Sequence, residues 1–205
     1  MVKIINILKT LFGRVDLSGI QTQSQSPTLL HISDTPSQFY PELRRIIRAV
    51  KPMYIIHTGD LVDNVKLGLY PSAINRYIHE IKPLLKMLNT CEAKHILFTM
   101  GNHDSLNHLI ENSGRIQIEP GVHLEVYDGF RIAAAHYATS LIDVDADIYL
   151  YGHDTSMCSH VEDGHTFLNG IEHMHLIDLV THEITEIPYP IGTDGLRLNR
   201  HRIGL

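Results

Sequence analysis

The chain has 205 residues, enough for one domain with a substantial core and too few for two comfortable ones. Hydrophobic residues make up 43% and charged residues 20%, which excludes a disordered or fibrous chain. Lys plus Arg number 17 against 23 Asp plus Glu, a formal charge of −6, and this speaks against a nucleic-acid backbone as the main partner, since phosphate contacts need a basic surface.

The elements follow in chain order. Residues 2–20 carry Ile4, Ile7, Leu8, Leu11, Phe12 and Val15 at helical spacing. This N-terminal extension (1–27) reads as a helix followed by the polar linker QTQSQSP; the favoured reading is a helix packed on its own domain, and the alternative is a contact for a partner, a second copy or a membrane surface. It lacks a signal-peptide core, and no apolar run is long enough to span a bilayer, so the expectation is a cytoplasmic protein without a transmembrane segment. The main domain is expected over 28–188. TLLHIS is its first strand, followed by a helix with Leu43, Ile46, Ile47 and Val50 on one face and Pro41 in its first turn. MYIIHT (53–58) is the next strand and completes a β-α-β unit with parallel neighbours. A helix over about 72–89 is expected to kink or restart at Pro83. HILFTM (95–100) is a third strand. Asp128-Gly129 between strand-like runs predicts a hairpin. DIYLY (147–151) is a further strand, and HTFLNG, HMHLIDLV and EITEI read as a closing meander. The tail 189–205, with Pro and Gly, is expected to be loosely attached.

Two residue types narrow the chemistry. Cys91 and Cys158 are far apart with no CxxC, so there is neither a disulfide framework nor zinc-finger spacing. Histidine is abundant, at 15 residues, and imidazole is the commonest ligand for transition metals. Five strand ends carry metal-capable or acid–base side chains: Asp34, Asp60, the run Asn102-His103-Asp104, His136 and His153. In open α/β sheets, ligands bind at the carboxyl ends of strands, so the recurrence points to one shared site.

SDTP, GDLVDN, GNHD, the lone His136 and GHDT resemble, in order, the five blocks of the calcineurin-like metallophosphoesterases, in particular the small bacterial phosphodiesterase branch. The resemblance covers about residues 28–187 and implies a four-layer αββα sandwich. It also implies hydrolysis of a phosphomonoester or phosphodiester by a metal-held hydroxide, with a small phosphorylated substrate. One divalent ion (manganese, zinc or iron) would take Asp60, Asn102, His136 and His153. A second would take Asp34, the shared Asp60 and two further histidines. His103 would protonate the leaving oxygen, oriented by Asp104, and Asp63 would tie the loop together.

The chain departs from the family pattern at two places. Pro36 stands where the first block has a histidine ligand, and Thr155 where the last block has one. Both losses fall on the second ion, so one or two ions per chain are open. Asp154, His31, His160 and His165 are the residues weighed as replacements; His31 points away from Asp34 and is discounted, and the pair His173 and His175 reads as a half-exposed sheet surface. Two rivals follow: an enzyme with a single ion, and a degenerate member that binds a phosphorylated ligand or serves as a protein scaffold, as a retromer subunit of this fold does.

Overall fold

The computed structural model describes residues 14–20, 26–127 and 129–198. Strands β1 (Thr28–Ile32), β2 (Tyr54–His57), β3 (His95–Thr99), β4 (Gln117–Glu119), β10 (His173–Asp178) and β11 (Ile184–Pro188) form one sheet, in the order β11-β10-β1-β2-β3-β4. Strands β5 (His123–Tyr127), β6 (Phe130–Ala134), β7 (Ile148–Tyr151), β8 (His160–Glu162) and β9 (His165–Asn169) form the other, in the order β5-β6-β7-β9-β8. The centres of both sheets are parallel, with β1 to β4 in one and β6, β7 and β9 in the other. Antiparallel strands flank them.

Side-chain alternation sets the layers. In β1, Leu30 and Ile32 face the helices while Leu29 enters the layer between the sheets. Helices α1 (Tyr40–Val50) and α2 (Ile74–Asn89) bury Leu43, Ile46, Ile47, Tyr77, Ile81 and Leu85 against the first sheet. Leu29, Ile56, Leu97 and Ile177 meet Ile132, Ile148, Leu150 and Leu168 between the sheets. The outer face of the second sheet is covered by the short 3-10 turn Ala138–Leu141. The result is the expected αββα sandwich, with a thin fourth layer. Pro41 lies in the first turn of α1, and Lys51 ends that helix in a left-handed conformation.

The structure departs from several expectations. Helix α2 continues through Pro83 as one element. HTFLNG and HMHLIDLV are not neighbours: β9 joins the second sheet, and the chain then crosses to pair β10 with β1. Most of the expected N-terminal helix lies outside the described residues. Its end, 14–20, is irregular, and Val15 is buried, its N–H donating to Glu42 Oε1 (2.7 Å) and its carbonyl accepting from Arg45 (2.6 Å). The tail is docked rather than loose as far as it is described. The Tyr189 hydroxyl bonds to Ser33 just after β1, and Arg197 in the short helix Thr193–Arg197 donates to the Ile171 carbonyl and stacks on the Tyr189 ring at 3.9 Å. Apolar spacing could not reveal this, because the anchors are polar.

The carboxyl ends of the central strands hold buried histidines. His31 and His175 stack at 5.3 Å, and His31 Nε2 meets Thr58 Oγ1 at 3.0 Å. His175 is therefore buried, not half-exposed as its alternation suggests. The Thr35 hydroxyl donates to the Leu61 carbonyl (3.0 Å), so His57 Nε2–H donates to Thr35 (2.9 Å). Burial holds His57 and His175 down to about 3. The unfolded chain takes up these protons near the ordinary value of about 6.5, so the stability these neutral rings contribute is full above that value and is lost as pH falls toward 3. Between pH 7.5 and 5.0, urea unfolding should show the wild type losing roughly 2 kcal/mol more than His57→Phe. Equal losses would mean that His57 takes up no proton on unfolding.

Candidate metal centre

Five loops leave the carboxyl ends of β1, β2, β3, β6 and β7 and converge. Main-chain bonds stitch them together: Asp34 N–H donates to the Gly59 carbonyl and Thr35 N–H to the Asp60 carbonyl, each at 3.0 Å, and Gly152 N–H donates to the His136 carbonyl (3.1 Å). Asp34, Asp60 and His153 all adopt left-handed backbone, with φ of 49°, 55° and 63°. Such conformations cost of order 1–3 kcal/mol each and persist only where the surroundings impose them. Two glycines allow the close approach. A Cβ on Gly101 would lie 2.1 Å from Asp60 Oδ1, and one on Gly152 would lie 2.4 Å from Asp34 Oδ2. No side chain larger than hydrogen fits between these loops and the carboxylates they face.

Asp60, Asn102, His136 and His153 come together. His136 is 2% exposed, and its Nδ1 lies 2.7 Å from the Thr58 carbonyl, which can only accept. The proton is therefore on Nδ1, and Nε2 presents a lone pair. That lone pair lies 3.1 Å from Asn102 Oδ1, 3.1 Å from His153 Nδ1 and 3.6 Å from Asp60 Oδ2. Tyr137 O–H donates to Asn102 Oδ1 (3.2 Å), which turns the amide oxygen inward. The cluster thus gathers acceptor atoms without a proton of His136 or Asn102 to share among them. Acceptors at that spacing repel one another unless His153 Nδ1 carries a proton or a cation lies among them, and a cation satisfies all four groups at once. Two nitrogens and two oxygens of this kind suit a transition metal, and the hydrogen bond behind His136 is of the type that orients a metal-bound imidazole.

The remaining predicted residues take other positions. Asp34 Oδ2 accepts from the Ser33 hydroxyl (2.5 Å) and from His153 N–H (3.1 Å). Asp104 does not orient the His103 ring. Its oxygens accept the N–H groups of Asp60 (2.8 Å), Leu61 (2.9 Å) and Gly101 (3.0 Å) and the Tyr77 hydroxyl (3.1 Å), so it joins the β2 and β3 loops. The Gly68 N–H donates to His103 Nδ1 (3.0 Å), which leaves the ring proton on Nε2, and Asn102 Nδ2 lies 3.2 and 3.1 Å from the two ring nitrogens. The Asp63 carboxylate pairs with Lys66 Nζ at 2.5 and 2.6 Å. Tyr137, Lys66 and Gly68 are the residues that sequence reasoning missed. Lys66 stands three residues after Asp63, a pairing distance within one turn, but nothing in its spacing says that the pair is buried.

Among the described residues, the weighed replacements have other partners. Asp154 Oδ1 accepts from Ser156, His160 Nδ1 meets the Cys158 carbonyl, His165 Nδ1 meets the Ala146 carbonyl, and His31 lies among the buried rings. Pro36 begins a 3-10 turn in extended conformation.

The electrostatics are those of crowded carboxylates. Burial, then the charges of Asp34, Asp104 and Asp63, pushes Asp60 well above the usual carboxylate range. Burial and the Asp34 charge push Asp63 up to about 7, against the opposing pull of Lys66 and Arg197. Burial, then the Lys66 charge, holds His103 down to about 4, and burial followed by the neighbouring His136 lowers His153. A cation at the acceptor cluster relieves the carboxylate repulsion directly.

Comparison with known proteins agrees with this geometry. No curated protein matches in sequence. Among solved structures, an archaeal phosphodiesterase is 18% identical with a TM-score of 0.54, over 78% of this chain and 99% of that one. The phosphoesterase Yfce from E. coli is 14% identical with a TM-score of 0.52, over 80% of this chain and 99% of that one. These likenesses concern the fold. The family described as calcineurin-like phosphoesterase matches residues 27–174, which include the second sheet, most strands of the first and every residue of the cluster. The chain belongs to the calcineurin-like phosphoesterase family, and with it to proteins that bind divalent metal ions.

Proposed function

We propose that the protein hydrolyses a small phosphomonoester or phosphodiester with the help of a divalent ion held by Asp60, Asn102, His136 and His153. The observation that carries this reading is the convergence of acceptor atoms on His136 Nε2. Manganese, zinc and iron all suit this donor set. When bound, such an ion supplies Lewis-acid polarisation of a phosphoryl oxygen and lowers the pKa of a coordinated water.

The chain's own residues do the rest. Thr58 fixes the His136 tautomer through its carbonyl, and Tyr137 holds the Asn102 oxygen inward. His103 serves the leaving group. Gly68 N–H occupies its Nδ1, which leaves Nε2 to carry a proton toward the ester oxygen. A ring held down to about 4 is neutral at pH 7, so His103 begins as an N–H donor and gains proton-transfer capacity as an anionic phosphoryl group raises its pKa. Asp104 acts through the loops and is a positioning residue. Asp34 borders the centre and adds negative charge that favours a cation. The scaffold alternative gives no role to a histidine whose tautomer is set toward the cluster.

Two outcomes are expected. His153→Ala should lower bound metal sharply after equilibrium dialysis against manganese, measured by elemental analysis. Full occupancy in that variant would sink the assignment. With manganese, zinc and iron tested in turn, His103→Ala should slow cleavage of an alkyl phosphoester by about 10²–10⁴, the usual worth of general acid–base catalysis. The loss should shrink to roughly tenfold or less for a nitrophenyl ester, whose leaving group departs without a proton. An absence of turnover on every phosphoester and metal tried would move the reading to a binding or scaffold protein.

A further inference from the structure

The second cation position of this family cannot form here from its usual ligands, because Pro36 and Thr155 stand in place of two imidazoles and the weighed replacements have other partners. The place is not left without positive charge. Lys66 adopts a left-handed backbone (φ 52°), its side chain is only 17% exposed, and both Asp63 oxygens contact its Nζ. The Asp63 side chain is 1% exposed, with an oxygen within 4.8 Å of ligand atoms of Asp60 and His103. Through Asp63 the ammonium lies beside the same centre as the metal cluster.

A second fixed cation acts on the far side of Asp63. The Arg197 guanidinium is buried, donates to the Ile171 carbonyl and to Asp194 Oδ1, stacks on Tyr189, and its charge reaches Asp63. Its Nη1 is buried without a partner. Arg197 is itself paired with Asp194, so Lys66 is the cation in direct contact with Asp63. The donor atoms agree: both Asp63 oxygens are engaged by Lys66, and His103 Nδ1 already accepts from Gly68.

We propose that the Lys66 ammonium takes the place of the second metal ion, so that the protein works with one divalent ion and uses Lys66 as a fixed cation for the phosphoryl group. Lysine suits this role as a compact point charge that binds phosphate oxygens without a set geometry. No bond is made or broken at Lys66; it binds and orients the anion. This inference rests on the phosphoesterase reading above.

The test reads metal stoichiometry and anion affinity, not turnover. Wild-type protein equilibrated with manganese and freed of excess should hold one equivalent by elemental analysis. Orthophosphate binding to that loaded protein, measured by calorimetry, should weaken about tenfold in Lys66→Met, the worth of one charge-assisted hydrogen bond, and stay within about threefold in Lys66→Arg. Because Lys66→Met leaves a buried carboxylate unpaired, the double variant Asp63→Asn/Lys66→Met provides an arm that removes both charges and should bind orthophosphate as weakly. Two equivalents of manganese in the wild type would overturn the proposal, as would unchanged orthophosphate affinity in both Met variants. A wild type that holds no manganese at all would instead overturn the functional reading beneath it.

Discussion

Repulsion among four carboxylates is the constraint on which the rest of this structure depends. Asp34, Asp60, Asp63 and Asp104 meet where the strands of the first sheet end, and three of them are almost wholly buried. Ionised carboxylates taken out of water are costly unless each is hydrogen-bonded or paired with a cation. The chain meets the constraint in three ways. Asp104 is satisfied by main-chain N–H groups from two loops, Asp63 by Lys66, and Asp34 by a hydroxyl and a main-chain N–H. Asp60 has one N–H donor, from His103, and faces the imidazoles. It is the carboxylate that most needs a metal ion.

The fold delivers these groups through parallel strands. Side chains of β1, β2 and β3 are buried on both faces, so polar groups are expelled to the strand ends, and parallel strands put all those ends on one edge. The second sheet places β6 and β7 so that His136 and His153 arrive from the other side of the same edge. The left-handed conformations of Asp34, Asp60 and His153 turn each chain sharply at that point. The buried bonds among the loops offset that strain, and the glycines beside the carboxylates let the loops touch.

The tail braces the loop that carries Asp34. The Tyr189 hydroxyl shares its one proton between the Gly170 carbonyl after β9 (2.7 Å) and the Ser33 carbonyl in the turn after β1 (3.0 Å), and it accepts from Ser33 N–H (3.2 Å). Arg197 lies on the Tyr189 ring. A segment that carries no family motif therefore braces the loop of Asp34. On the β2 loop, Lys66 pairs with both oxygens of Asp63.

Much was legible in the sequence because it depends on period and position. Short apolar runs located the central strands, the 3.6-residue spacing located α1 and α2, and the polar residues after the strands marked Asp34, Asp60, the run Asn102-His103-Asp104, His136 and His153 as one shared site. Those features are local, or repeat at fixed offsets, and so survive without coordinates. The tertiary structure decided the rest. It buried His175, which alternation had assigned to a half-exposed face, because β10 pairs with β1 rather than with β9. It gave Asp104 to three main-chain N–H groups instead of to His103, because main-chain donors have no sequence signature. It docked the tail through Arg197 and set Lys66 beside a buried carboxylate. Such polar contacts join residues distant in the chain or hidden by burial, and their partners are defined only once the sheets have closed over them.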